Sequence, residues 1–370
     1  MARPWNAAIA ISGMGAITPY GPGVAAFSDA LRTGLSAIRT TELKPFDKPR
    51  PTGLLSNQSL EQWLEPTASK DAALAKRMKK LLRRKPRAGV LSVLVAQEAW
   101  QDAGLGNEGF SSTGVVVGGH SLSSAYEFQM REKFNSSPNH LSPSFAVNLL
   151  DTDHVGLVSA LLDLHGCGMT VGGASASGQM ALIQAANLIR LGDIDRCVVV
   201  GPMADLSPMA LQSFDAMGAL GGHDYADKPE QASRPFDNKR NGFIFSQASG
   251  AVILESIKSC EQRGHQPHGY LAGAGVYLDA TALPSPSAEG EAKAMQMALQ
   301  AAGISPEAVD TINAHGTASG AGDVAELEAI EMVFGEMAKT LSVQSTKGLL
   351  GHTLWAAGLV ESIAVVAQMR

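Results

Sequence analysis

Apolar residues recur along this chain with two alternating periods. From Val24 to Leu31 and from Leu91 to Ala103 they fall on one helical face. Between such stretches stand short β-branched runs at Ala8–Ile11, Val115–Val117, Cys197–Val200, Ala251–Leu254 and Thr311–Ile312, most of them followed by Gly or Ala. Strands alternating with helices predict an α/β fold, a parallel or mixed sheet with helices on both faces. Breaker-rich segments at Thr40–Pro51, Gly221–Pro235 and Leu283–Gly290 read as loops. No low-complexity tract or short-period repeat interrupts the pattern.

One of these strand-to-helix passages carries candidate chemistry. Thr170-Val171-Gly172-Gly173-Ala174-Ser175-Ala176-Ser177-Gly178 is a β-branched strand end, then small residues, then the apolar helical run Met180 to Leu191. The turn sets Ser175 at or near a helix N-terminus, where free backbone N–H groups and the positive end of the helix dipole point. Such a position seats a nucleophile or an oxyanion hole. Downstream, Asn313-Ala314-His315-Gly316-Thr317 and Ser345-Thr346-Lys347-Gly348-Leu349-Leu350-Gly351-His352 each set a histidine beside glycine. Both histidines are read as following a strand-like run, in a turn where glycine lets backbone and ligand approach closely.

Composition narrows the class. A chain of 370 residues exceeds the usual size of one domain, so a duplicated domain or two fused ones are expected. Hydrophobic content of 45% with 17% charged residues describes a globular protein with a large core. The net charge of −6 gives no global pull toward nucleic acid. Cys167, Cys197 and Cys260 have neither metal-ligand spacing nor disulfide-like density, so no metal is expected and a reducing, cytoplasmic setting suits the chain. Met1 to Asn6 lacks the charged-then-apolar order of a leader, and the longest apolar stretches are too short to span a bilayer. Against the acidic background, Lys76-Arg77-Met78-Lys79-Lys80-Leu81-Leu82-Arg83-Arg84-Lys85-Pro86-Arg87 concentrates eight positive charges. That run is either a solvated helix face or a docking patch for an acidic partner; nothing around it supports nucleic-acid binding.

Together the three small-residue blocks resemble the active-site blocks of the β-ketoacyl-acyl-carrier-protein synthases, of the thiolase superfamily. The resemblance extends to Ile9-Ala10-Ile11-Ser12-Gly13-Met14-Gly15 at the start and to Arg234-Pro235-Phe236-Asp237 in mid-chain. It implies two similar α/β halves, residues 1–256 and 257–370, packed as a duplicated five-layer α-β-α-β-α sandwich. It also implies that the family's catalytic cysteine position falls on Ser175, while His315 and His352 hydrogen-bond a malonyl thioester carbonyl during loss of CO2. Lys347 and Glu326 are implied to form a buried ion pair that holds the histidines, and Thr317 and Ser319 to bond the pantetheine arm. Asp323 matches a family position, although Gly322 replaces the usual Asn before it. The Ser246-Gln247-Ala248-Ser249-Gly250 stretch departs from the family's Gly-Glu-Gly-Ala-Gly. Family members also continue past the lysine–histidine block into final strands and a Gly-Phe-Gly-Gly loop; either this sequence is cut short or its fold closes differently.

The resemblance implies no cofactor of the protein's own, because the substrate travels on the phosphopantetheine of an acyl carrier protein. That acidic partner makes Lys76, Arg77, Lys79, Lys80, Arg83 and Arg84 candidate docking residues. A homodimer through Met169 to Gly172, or a heterodimer with an active ketosynthase, is expected. Three functions remain open at this point. A serine hydroxyl is a weak nucleophile without a base, so a malonyl-carrier-protein decarboxylase of polyketide biosynthesis is the first. A non-catalytic partner resembling chain-length factors is the second, and a condensing enzyme whose cysteine was exchanged for serine is the third.

Overall fold

The computed structural model describes residue 5 and residues 7–106 and 112–369; of Met1 to Asn6, read above for a leader, only Trp5 lies within it. The strands are β1 (Ile9–Thr18), β2 (Gly21–Pro22), β3 (Arg39–Thr41), β4 (Arg50–Thr52), β5 (Thr113–Gly118) and β6 (Gly168–Val171). They continue as β7 (Arg196–Gly201), β8 (Ser249–Ser256), β9 (Gly269–Leu271), β10 (Thr311–Asn313) and β11 (Ser342–Gln344). The main sheet has the order β2-β1-β8-β7-β5-β6, with β9 joined to β1. It is mixed: β5 pairs parallel with β6 and β7, whereas β8 is antiparallel to β7 and β1.

Alternation along these strands explains why both faces are covered. Val115, Val117, Val198, Val200, Ala251 and Ile253 point into a core shared with Leu91, Val93 and Leu157. The intervening Val116, Val199, Val252 and Leu254 point into a second core with Ala181, Leu182, Leu359 and Val360. The period of two sends neighbouring residues to opposite faces, so strands with no polar face must be sandwiched. The helices Arg87–Asp102 and Thr152–Leu162 close one side; Ser177–Leu191 and Ala357–Gln368 close the other.

Beyond that second helix layer lie β10 and β11, paired in parallel, and then the mutually packed helices Ala288–Ala302 and Gly322–Phe334. The layers run helix, sheet, helix, sheet, helix, and the chain has the thiolase fold. Glycines show the duplication at atomic level. A Cβ on Gly13 or Gly15 would lie 2.1 or 2.2 Å from carbonyl oxygens of the Arg87–Asp102 helix. A Cβ on Gly273 or Gly275 would lie 2.5 or 2.0 Å from backbone atoms of the Ala288–Ala302 helix. In each half, a Gly-x-Gly segment lets a helix press against the backbone beside it.

The sequence reading differs from the structure at two local elements. Thr40–Pro51, read as a loop, has its ends paired as β3 and β4. His352 follows the short helix Lys347–Leu350, not a strand. The strand-forming residues Ser342–Gln344 end earlier, and Thr346 turns the chain into that helix through a hydroxyl bond to Asn313 Oδ1 at 2.8 Å.

Candidate active site

Ser175 sits in a 3-10 turn, Ala174–Ala176, immediately before the Ser177–Leu191 helix. The turn is tight: Ala174 has a left-handed φ of 46°, costly for a residue with a Cβ. Ser177 holds it from within the helix, its hydroxyl accepting from Gly173 N–H at 3.0 Å and donating to Ala174 O at 2.6 Å. Close helix packing then brings the second half to this turn. A Cβ on Gly178 would stand 2.7 Å from Leu359 N and 2.9 Å from Gly358 Cα. Without side chains at this crossing, the starts of the two central helices meet, and the residues preceding each helix face one another.

His352 occupies that junction. Its backbone N–H donates to Ile244 O at 2.7 Å, and its carbonyl accepts from Ser246 N–H at 3.0 Å. Phe243 stands edge-on to its ring, 5.2 Å between centroids. Leu354 N–H donates to His352 Nδ1 at 3.4 Å, while Nε2 lies 2.9 Å from Ser175 Oγ. A backbone N–H can only donate, so Nδ1 accepts and the neutral ring carries its proton on Nε2. This assignment of the tautomer makes His352 a donor toward Ser175, not a base that would strip the hydroxyl.

His315 completes the cluster from the loop after β10. Its ring lies 5.3 Å from that of His352, nearly perpendicular. The parallel pairing of β10 and β11 puts the loops at their C-terminal ends side by side. Ser345 Oγ donates to Gly316 O at 2.9 Å and ties those loops together. Glu326 grips the loop from the Gly322–Phe334 helix: Oε1 accepts from His315 N–H and Oε2 from Gly316 N–H, the latter at 2.7 Å.

The expected Lys347–Glu326 ion pair is not formed. Lys347 Nζ instead pairs with Glu361 on the helix that follows His352. Glu326 spends both oxygens on backbone donors, whereas Glu361 offers a buried carboxylate without such partners. Lys347 is 1% exposed and Glu361 7%, so each charge requires the other. Burial first, and then the nearby Lys347 cation, hold His352, 3% exposed, below the ordinary histidine range. His315 is lowered by partial removal of its ring from water and then by Lys347, although the residue keeps an exposed surface. The site therefore presents two neutral imidazoles near pH 7, suited to donating hydrogen bonds to a developing oxyanion.

The remaining predicted residues surround this core. Asp323 Oδ2 accepts from Phe236 N–H at 2.7 Å, joining the mid-chain Arg-Pro-Phe-Asp block to the site. Thr317 Oγ1 donates to Ser319 Oγ at 3.1 Å, and Arg240 caps Ser319 O at 3.0 Å. Lys76, Arg77, Lys79, Lys80, Arg83 and Arg84 are all exposed, on or just after the Ala72–Leu82 helix, with Lys79 bonded to Glu61 at 2.9 Å. The same run's Lys85 and Arg87 turn inward, to Asp153 at 2.8 Å and to Ser56 O at 2.7 Å.

Sequence reasoning matched Phe243 to the mid-chain block without giving it a place against His352, and passed over Glu361 and the Leu354 N–H. Only Glu361 left a signal: a lone carboxylate in the apolar run Ala357-Gly358-Leu359-Val360-Glu361-Ser362-Ile363-Ala364.

Comparison with known proteins agrees with this fold. Residues 6–259 match the β-ketoacyl synthase N-terminal domain, and residues 268–370 its C-terminal domain. The polyketide biosynthesis malonyl-ACP decarboxylase PksF of Bacillus subtilis (strain 168) is 34% identical, covering 98% of this chain and 84% of its own length. The 3-oxoacyl-(acyl-carrier-protein) synthase 2 of Staphylococcus aureus (strain COL) is 33% identical over 97% of this chain and 84% of its own. A β-ketoacyl synthase from Burkholderia phymatum STM815 superposes with a TM-score of 0.84 at 27% identity, covering 100% of this chain and 86% of its own. The ishigamide ketosynthase/chain length factor gives 0.82 at 25% identity, over 99% and 86%.

Proposed function

The chain belongs to the β-ketoacyl synthase family, and from that premise we propose that it decarboxylates malonyl groups carried on an acyl carrier protein, yielding the acetyl-carrier protein. The observation that carries this reading is His352 Nε2 standing 2.9 Å from Ser175 Oγ, with the ring proton assigned to Nε2 because Nδ1 accepts from Leu354 N–H. With Nδ1 occupied by Leu354 N–H, that imidazole cannot serve as the base a serine nucleophile needs. It can donate to the carbonyl oxygen of a thioester lying over Ser175, and so can His315 beside it.

In the proposed reaction the bond between the malonyl carboxylate carbon and the α-carbon breaks. Its electron pair flows into the thioester as an enolate, CO2 departs, and a proton from solvent returns to the α-carbon. The two neutral histidines stabilise the enolate oxygen; no acyl-enzyme is required. The name of the Bacillus subtilis relative, a malonyl-ACP decarboxylase, supports the substrate and the polyketide setting. The exposed cations of the Ala72–Leu82 helix supply charge complementary to an acidic carrier protein. β6 ends the main sheet with one side unpaired among the described residues, which suits a dimer formed across it.

Similarity to a ketosynthase/chain length factor favours a second reading, a partner subunit without activity of its own. Intact histidines and the buried lysine pair speak against it. Incubation with malonyl-carrier protein, followed by intact mass of the carrier, separates the two. Decarboxylation removes the mass of CO2 from the carrier. His352→Ala or His315→Ala should each slow it about a hundredfold to a thousandfold, while Ser175→Ala costs far less. No CO2 release, alone or with a cysteine-bearing ketosynthase, would sink the catalytic reading; so would an acyl group trapped on Ser175.

A further inference from the structure

β5, β6 and β7 run parallel and end at the same edge of the main sheet. The segments that follow them carry His120, Ser175 and Met203. Ligands of such sheets lie outside the carboxyl ends of the strands, so an acyl chain extending inward from residue 175 would run between these segments.

That space is filled. Just past His352, the turn Leu354–Ala356 lies directly against the turn Ala174–Ala176. It carries Trp355, 7% exposed, within the core that also holds Leu122 and Met203. The indole packs against the His120 ring with centroids 4.5 Å apart. Gly119 leaves room for it: a Cβ there would stand 3.5 Å from Trp355 Cβ and 2.6 Å from Leu122 Cδ2. Trp355 Nε1 is buried with no hydrogen-bond partner among the described residues. A buried donor without an acceptor is destabilising, so what the indole supplies at this position is volume rather than a polar contact.

We infer that Trp355, backed by His120, closes the space beyond Ser175 and restricts the site to acyl groups of malonyl size, excluding medium and long chains. Trp355 is thus a specificity-determining residue. The inference rests on the reading that thioesters bind against Ser175, and not on which reaction follows.

A Ser175→Cys protein tests it without any decarboxylation. The cysteine sulfur attacks an acyl-pantetheine carbonyl, a new sulfur–acyl bond forms, and the pantetheine thiol leaves with the proton. Intact mass then reports acetyl against octanoyl transfer. Acetyl should load at least about tenfold faster than octanoyl, the discrimination a filled apolar pocket provides. Adding Trp355→Leu should bring octanoyl to within about threefold of an unchanged acetyl rate, whereas Trp355→Phe should keep the discrimination. Leu122→Ala, which widens the same space from the segment after β5, stands in if the leucine variant melts early. Equal loading of both chains in the Ser175→Cys protein, or discrimination persisting in both widened variants, overturns the inference. Failure of even acetyl to load removes its premise that acyl chains seat at residue 175, yet leaves malonyl decarboxylation to be judged by its own assay.

Discussion

Lys347 offers the sharpest test of how the site is held together. The cation is 1% exposed and its partner Glu361 7%. Lys347→Met removes the positive charge and leaves a buried carboxylate, already pushed above its ordinary range by burial and by the nearby Glu326 charge. Deleting one partner of a buried pair typically costs about 3–5 kcal/mol, whereas replacing both by apolar groups is often neutral. For 370 residues the unfolding entropy is about 0.8 kcal/mol per degree, so the single variant should melt about 4–6 °C lower. Lys347→Met with Glu361→Leu should recover most of that loss. Lys347→Met with Glu326→Gln should not, because Glu326 accepts from two backbone N–H groups and bonds elsewhere. The same substitution has a kinetic readout. Removing Lys347 takes away the second cause that lowers both histidines, so the acid limb of the pH–rate profile should move upward. Differential scanning fluorimetry and decarboxylation rates measure the two effects. A loss below about 1 kcal/mol, or rescue by Glu326→Gln in place of Glu361→Leu, would refute the pairing and the reasoning built on it.

Two other outcomes follow from groups outside the catalytic cluster. His154 is 2% exposed with Nδ1 2.9 Å from Ser92 Oγ, and burial, then the Lys85 cation, lowers its pKa to about 4. The unfolded chain therefore takes up this proton first as pH falls through 6.5. Stability from this residue should decline by about 3 kcal/mol between pH 7 and pH 4, a loss that His154→Gln should remove from the pH dependence of the melting temperature. On the exposed face of the Ala72–Leu82 helix, Lys76→Glu with Arg77→Glu and Lys80→Glu should raise KM for malonyl-carrier protein about tenfold, more at low salt, with kcat unchanged. A malonyl-pantetheine substrate, which lacks the acidic protein, should show no such effect.

The sequence made the residues of the site legible, but not their partners. Ser175 and His315 stand in runs of small residues and His352 follows a glycine, so local pattern sufficed to single them out, and the structure brings them together. The Lys347 pairing was not legible, because it depends on a turn at Gly351 that folds the Ala357–Gln368 helix back beside the lysine. Strand positions in the first half followed from β-branched runs, since those strands are buried on both faces. The preference for helix over strand just before His352 arises from Thr346 bonding Asn313, a contact 33 residues apart. Trp355 carries no signal in the sequence; the packing of the turn Leu354–Ala356 against Ala174–Ala176 places it near Ser175, and His120, brought in after β5, backs it.

The resemblance implies that Ser175 takes the place of the family's cysteine, and none of Cys167, Cys197 and Cys260 replaces the lost thiolate. Cys197 is buried and its thiol is held far above the ordinary range by burial first and the neighbouring Cys167 second. Burial also raises Cys167 and Cys260, and neither belongs to the cluster around His352. At Ser175 the hydroxyl receives a hydrogen bond instead of losing its proton. On the proposed reading, the donor set toward a thioester oxygen is kept while the means of acyl transfer is lost. Enolate formation needs only the first of these, and condensation needs both. On the function proposed above, a serine at this turn separates two steps that a cysteine would couple, and the loss of CO2 is the step that remains.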